Sequence, residues 1–310
     1  YFEVFYSWSR VQFKSIFGNI LKEIYPRISV LFLLVLVSLE VLNKENFVWW
    51  LTGLYYLRLI LMIVYSFYLY KPVFSITIPD NFKEILSYSF YILLAGSAAS
   101  FLIDIDKYMI PQKQAISQTA YYAVAVFIAT VVEIPGRAMF QILNPLVAKS
   151  LNDQNYSELK YLYKNSSENL LLISGLFFLL INLNIDSFYL LLNNQFYSNA
   201  SLVVLIISSA KLIQMSFGCG PAILATSTFY RITLPFSISM AISVYLLNDY
   251  LIDLYGINGA AISTFIVLLI FTILKILYIV FKIKIQPYSL NSLKILFSIF
   301  IVYLINYFIN

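Results

Sequence analysis

Apolar runs long enough to cross a lipid bilayer recur along almost the whole chain, and they constrain it more than any single motif does. A spanning helix needs about 20 mostly apolar residues, and nine such segments can be marked in the 310 residues. Helix A runs from Pro26 to about residue 43, with a lead-in from Arg10. Helix B covers about 47–70, C about 83–110, D about 118–148, E about 158–183, F about 199–226, G about 229–248, H about 257–281 and I about 291–309. Lipid offers no partner to backbone polar groups, so segments of this kind fold as helices. The expected class is therefore an all-α polytopic membrane protein. Composition agrees: 61% of residues are apolar and 11% charged, against roughly 25% charged in an ordinary soluble domain.

Basic residues set the orientation. One set of alternate loops holds fourteen: Arg10, Lys14, Lys22, Arg27, Lys71, Lys83, Lys149, Lys160, Lys164, Arg231, Lys275, Lys282, Lys284 and Lys294. The other set holds three, Lys44, Lys107 and Lys113. The fourteen-residue side is assigned to the cytoplasm. The net charge of +5 then reflects orientation, and no nucleic-acid partner is expected. The lead-in places Phe13, Ile16, Phe17, Ile20, Leu21 and Ile24 at three- to four-residue spacing among basic residues, the pattern of a segment lying at the lipid headgroups. The connector 71–82, with Pro72 and Pro79, is the expected boundary between two helical bundles. The chain begins at Tyr1 and ends at Asn310 on an apolar run, so it reads as an internal piece of a longer membrane protein.

Histidine is absent and Cys219 is the single cysteine. These exclude an internal disulfide, iron–sulfur clusters and histidine-held zinc or haem. No phosphate loop and no nucleophile with a positioned base can be found, so neither an enzyme nor a cofactor or metal site is expected.

The informative residues are the polar ones at membrane depth, which usually face a bundle interior or a wet cavity. On helix D, Thr130, Glu133, Arg137, Gln141 and Asn144 share a face. Glu133 and Arg137 form an i,i+4 pair around Pro135, which is expected to bend the helix. They either neutralise each other or form a cavity wall that offers Arg137 to an anion. On helix C, Ser97, Ser100, Asp104 and Lys107 share a face, either for close packing or as a polar path to the outer mouth. Asp104 and Asp106, two residues apart, point to different faces. Lys211 lies near the middle of helix F, beside Ser208, Gln214 and Gly218. It is expected to line a cavity, the alternative being a structural partner such as Glu133 or Glu168. Gly218, Gly220 and Pro221 mark an expected break in that helix. Arg58 on helix B, with Tyr55 and Tyr56, either faces the same cavity or pairs elsewhere. The candidate cavity residues are thus Lys211, Arg137, Glu133, Arg58, Gln214, Asp104, Ser97 and Ser100.

The stretch FLIDIDKYMIPQKQAISQTAYYAVAVFIATVVEIPGRAMFQILNPLVAKSL, with YLYKNSSENLLLISGLFF, ILATSTFYR and LYGINGAAIST, resembles the Wzx-type O-antigen and lipid-linked oligosaccharide flippases of the MOP (MATE-like) superfamily. The resemblance implies that residues 1–70 are the last two helices of an N-terminal lobe and that 71–82 is a cytoplasmic interlobe linker. It further implies that 83–284 form a six-helix C-terminal lobe, with an extra helix in 285–310. A central cavity, alternating access and an undecaprenyl-diphosphate-linked glycan as cargo in a bacterial cytoplasmic membrane would follow. The driving force is not readable from the sequence; Asp104, Glu133 and Asp106 are the candidates for coupling an ion, H+ or Na+, and polysaccharide polymerase machinery is a candidate partner. Cavity cations such as Lys211 would then offset the diphosphate charge. A MATE-type cation-coupled drug exporter, a lipid II flippase and a membrane-embedded polysaccharide polymerase or ligase are the competing functions.

Overall fold

A computed structural model of the protein describes residues 1–71, 78, 80–191 and 200–309, with the side chains of 44, 98–103, 191 and 307–309 outside that description. No β-strand occurs among the described residues. The chain divides into two compact units, Tyr1–Pro79 and Asp80–Asn310. The division falls inside the 71–82 connector, most of which lies outside the described residues.

In the first unit, α1 (Phe2–Val11) leads through the short α2 (Ser15–Asn19) and one wide turn, Ile20–Ile24, into α3 (Tyr25–Ser38). Pro26 occupies the first turn of α3, directly after the wide turn. Helix α4 (Phe47–Leu69) packs on α1 around buried Tyr6, Leu21 and Met62. The Ser66 hydroxyl donates to the Phe5 carbonyl at 2.9 Å and fixes that contact. The amphipathic lead-in is thus folded back as α1, α2 and the wide turn, pinned by a Lys22–Glu3 ion pair at 2.9 Å.

The second unit contains α5 (Phe82–Lys113), α6 (Ile116–Ala129), α7 (Ile134–Asn152), α8 (Tyr156–Leu191), α9 (Ser201–Ser216), α10 (Gly220–Thr226), α11 (Thr233–Tyr255), α12 (Ile257–Ile283) and α13 (Leu290–Ile309). Helix α11 lies between α5 and α12; α12 packs on α9, α9 on α8, and α8 carries α13. Small residues make the tightest approach: Gly259, Ala260, Ala261 and Ser263 of α12 are buried. A Cβ on Gly259 would collide with the Leu251 carbonyl oxygen. Backbones that close gain dispersion contacts that larger side chains would prevent. Lys113 ties the end of α5 to α11 through Asp249 and Asp253, both at 2.7 Å.

Among the described residues, five helices are long and apolar enough to cross a membrane: Phe47–Leu69, Ile116–Asn152, Tyr156–Leu190, Tyr230–Tyr255 and Ile257–Ile283. The bent pair Ser201–Ser216 and Gly220–Thr226 makes a sixth if counted as one span. Segments A, C and I, expected as spans, are α3, α5 and α13. The apolar part of α13 is the shorter Leu290–Asn306, α3 has only 14 residues, and six side chains of α5 lie outside the description.

Two irregularities position the site. Between α6 and α7 the chain tightens into a 3-10 turn, Thr130–Glu133, and Pro135 falls in the first turn of α7. The proline lies within one span of 37 residues, Ile116–Asn152, that is bent there by no more than 40°. The second irregularity lies at Gly218, where α9 and α10 meet at 58°. Gly218 has φ +56°, a conformation glycine adopts without steric cost. Two serines of α8 satisfy the broken ladder: the Ser167 hydroxyl donates to the Ser216 carbonyl, and Ser166 Oγ accepts from the Cys219 N–H at 2.9 Å.

Candidate functional site

A cavity of about 250 Å³ lies inside the second unit. Its charged lining is Asp106, Glu133, Lys211 and Lys275, and its polar lining includes Tyr122, Thr130, Gln214, Ser237 and Thr264. The elements around it are α5, α6 with its 3-10 extension, α9, α11 and α12.

The charged groups form two clusters. In one, the Glu133 carboxylate accepts Lys211 Nζ at 2.7 Å and has Arg137 on its other oxygen at 3.8 Å. The tightened turn before Pro135 places Glu133 there, and the helical face of α9 supplies Lys211 and Gln214. Lys211 is 13% exposed and Arg137 55%, so Lys211 is the enclosed cation and Arg137 the outlying one. Lys275 shares the cavity with them, and its ammonium lies 3.4 Å from the Met240 sulfur.

The other cluster centres on Asp106, which is 3% exposed. Asn248 of α11 donates to its Oδ1 at 2.6 Å, and Thr264 of α12 donates to its Oδ2 at 2.9 Å. The Tyr122 hydroxyl of α6 also donates to Oδ2. Four helices thus converge on one carboxylate. A charge removed from water this completely stands only where such bonds compensate it. The amide oxygen of Asn248 is buried without a hydrogen-bond partner among the described residues, which is costly unless something fills the valence. Asp106, Tyr122, Thr264 and Asn248 bring carboxylate, hydroxyl and amide oxygens to one region, the ligand types that a hard cation takes, with the two hydroxyls and the amide N–H turned toward the carboxylate as donors.

Of the residues expected from sequence, Lys211, Glu133 and Gln214 line the cavity and Arg137 borders it through Glu133. Lys211 pairs with Glu133, the structural alternative weighed for it. Glu168 instead accepts from Ser289 and lies 4.0 Å from Lys164. Asp104 is exposed and paired with Lys107 at 2.8 Å, apart from the cavity lining. Ser97 is exposed and donates to the Leu93 carbonyl of its own helix at 2.9 Å. The Ser100 side chain lies outside the described residues. Arg58 belongs to the first unit, where its guanidinium stacks 3.9 Å from the Phe2 ring centroid. Of the charged cavity residues, Asp106 and Lys275 are absent from the candidate cavity set read from sequence, although Asp106 is named there as a candidate for ion coupling. Asp106 is separable from Asp104 only as the opposite face of the helix, and Lys275 counts there with the cytoplasmic loop cations although it lies within α12. Its spacing of eleven residues from Thr264 is the available signal, since three helical turns return a residue to the same face.

No protein-family model, curated protein or solved structure matches this chain.

Proposed function

We propose that the protein is a sodium-coupled membrane transporter whose cargo is a polyprenyl-diphosphate-linked oligosaccharide, moved across a bacterial cytoplasmic membrane by alternating access. The observation that carries the coupling is the Asp106 cluster: one buried carboxylate, two hydroxyls and an unpartnered amide oxygen drawn from four helices. A cation binding there pulls α5, α6, α11 and α12 together, and its loss leaves Asp106 charged with three donors. That difference in interaction between two packings is what a coupling ion must supply. The cargo rests on the resemblance to the flippases, and so do the six-helix lobe of 83–284 and the nine-span topology.

The Glu133–Lys211 pair alters the part expected of Lys211. Its charge is already met at 2.7 Å, which favours a role in holding the cavity over one in binding the diphosphate.

The test is translocation in proteoliposomes containing the purified protein and a radiolabelled polyprenyl-diphosphate glycan, scored by protection from an external glycosidase. Wild type should move the lipid under a sodium gradient, and Asp106→Asn should lose at least nine-tenths of that rate. Absence of protected glycan in wild-type vesicles refutes the cargo, and an unchanged rate in Asp106→Asn refutes the coupling site.

A further inference from the structure

Lys275 is the charged residue of the described cavity lining with no assigned work. It lies eight residues before the end of α12 at Ile283, about 12 Å along the helix, and it faces the same cavity as Asp106 and Glu133. Among the described residues it makes no ion pair; the contact of its ammonium is the Met240 sulfur at 3.4 Å, a weak acceptor. Glu133 is already engaged by Lys211 at 2.7 Å and Arg137 at 3.8 Å.

The helices fix where this charge stands relative to Asp106. Thr264, which touches Asp106, precedes Lys275 by eleven residues on α12, and Tyr122, which also touches it, precedes Glu133 by the same number. The Thr264–Lys275 interval corresponds to about 16 Å of α-helix, and the Tyr122–Glu133 interval, which ends in a 3-10 turn, to about 18 Å. The cavity therefore runs along the helix axes, with Asp106 at one end and Glu133, Lys211 and Lys275 at the other. The charged and titratable groups facing it are Asp106 from α5, Tyr122 and Glu133 from the α6 segment, Lys211 from α9 and Lys275 from α12; α11 contributes Ser237 and Met240. Two carboxylates face two lysines, and the guanidinium of Arg137 adds a third cation beside Glu133.

We propose that Lys275 is a built-in counter-charge of this cavity, whose ammonium opposes a monovalent cation and sets how tightly the Asp106 cluster holds sodium. The proposal rests on the sodium site proposed above and adds the residue that tunes it. Weak holding is useful to a transporter, since an ion bound too tightly is not released on the far side. Two unit charges about 16 Å apart in a medium of effective dielectric near 20 repel enough to change an affinity about fivefold.

The experiment is equilibrium binding of ²²Na⁺ to the full chain purified in detergent, comparing wild type, Lys275→Gln, Lys275→Met, Lys275→Arg and Asp106→Asn. Each variant is first checked for a single size-exclusion peak and a thermal melt, and Met is the substitute if Gln does not fold. The neutral variants should bind sodium about fivefold more tightly, and Lys275→Arg should stay within twofold of wild type. Asp106→Asn should abolish saturable binding. A merely structural lysine would not give a gain in affinity that arginine reverses. If Asp106→Asn abolishes binding while neutral variants at 275 match wild type, the proposal for Lys275 is wrong and the sodium site stands. If Asp106→Asn binds like wild type, or no form binds saturably, the sodium site falls and this proposal with it.

Discussion

At the scale of single residues, the site depends on how each charge in the second unit is answered. Lys211 and Glu133 answer each other, so removing one strands the other. Breaking an enclosed pair costs about 3 kcal/mol, while replacing both partners by neutral groups of similar shape costs little. Lys211→Gln alone should therefore lower the melting temperature and glycan export, and Lys211→Gln with Glu133→Gln should recover stability. Export by the double variant decides the part played by the lysine: wild-type export means that the pair only holds the bundle, and lost export with restored stability means that its charges take part in transport. A double variant as unstable as the single one would contradict the pairing itself. The sequence made Lys211 and Glu133 legible because charges at membrane depth are rare and expensive. It could not rank Asp106 above Asp104, because both sit near the end of one helix and only the packing of α6, α11 and α12 buries the first and leaves the second in the open. Arg58 was ambiguous for a similar reason. A guanidinium within a span can satisfy itself on aromatic rings, and Phe2 lies on α1, far from α4 along the chain, so no local pattern announces their contact.

At the scale of elements, helix breaks position the chemistry. The tightened turn before Pro135 delivers Glu133 to the cavity, and the 58° bend at Gly218 ends α9 just beyond Lys211 and Gln214. Both places are marked in the sequence by glycine and proline, but their form is not. The sequence predicts a bend at Pro135; the structure adds that the chain tightens into a 3-10 turn just ahead of it, with the proline in the first turn of α7. The Gly218 break is held from outside by Ser166 and Ser167, so its stability is a tertiary property. A Cβ at Gly218 would lie 2.7 Å from both Ser166 Oγ and the Ser167 backbone nitrogen, and it would also strain a positive φ. Gly218→Ala should cost about 1–3 kcal/mol and be read as a lowered melting temperature of the detergent-solubilised protein; an unchanged melt would contradict the stapled break. Ser166→Ala should weaken the same junction less, because it removes one hydrogen bond there, that from the Cys219 N–H, and leaves the backbone relaxed.

At the scale of the whole molecule, an all-helical chain with several membrane-crossing segments was legible from apolar length alone. The count of spans was less so, because α3 and α13 are apolar but short, and apolarity without length does not separate a span from a helix buried among others. The lysine and arginine asymmetry predicts an orientation that labelling can test. Cys219 is buried, so a thiol introduced at the surface can be labelled almost without background. Asn155→Cys, in the D–E loop, should react with an impermeant maleimide only after the membrane is opened, and Asp186→Cys should react in intact cells. Labelling at 155 from outside would reverse the assigned topology. The central claim joins these scales: a cation held at Asp106 drives the lipid across. It is tested most directly by measuring glycan translocation in one batch of proteoliposomes under equal membrane potentials, with an inward gradient of sodium or of potassium. The account predicts translocation with sodium, at least tenfold less with potassium, and ²²Na⁺ uptake that rises in proportion to the glycan moved. Equal translocation under the two gradients, with no sodium uptake, would contradict it.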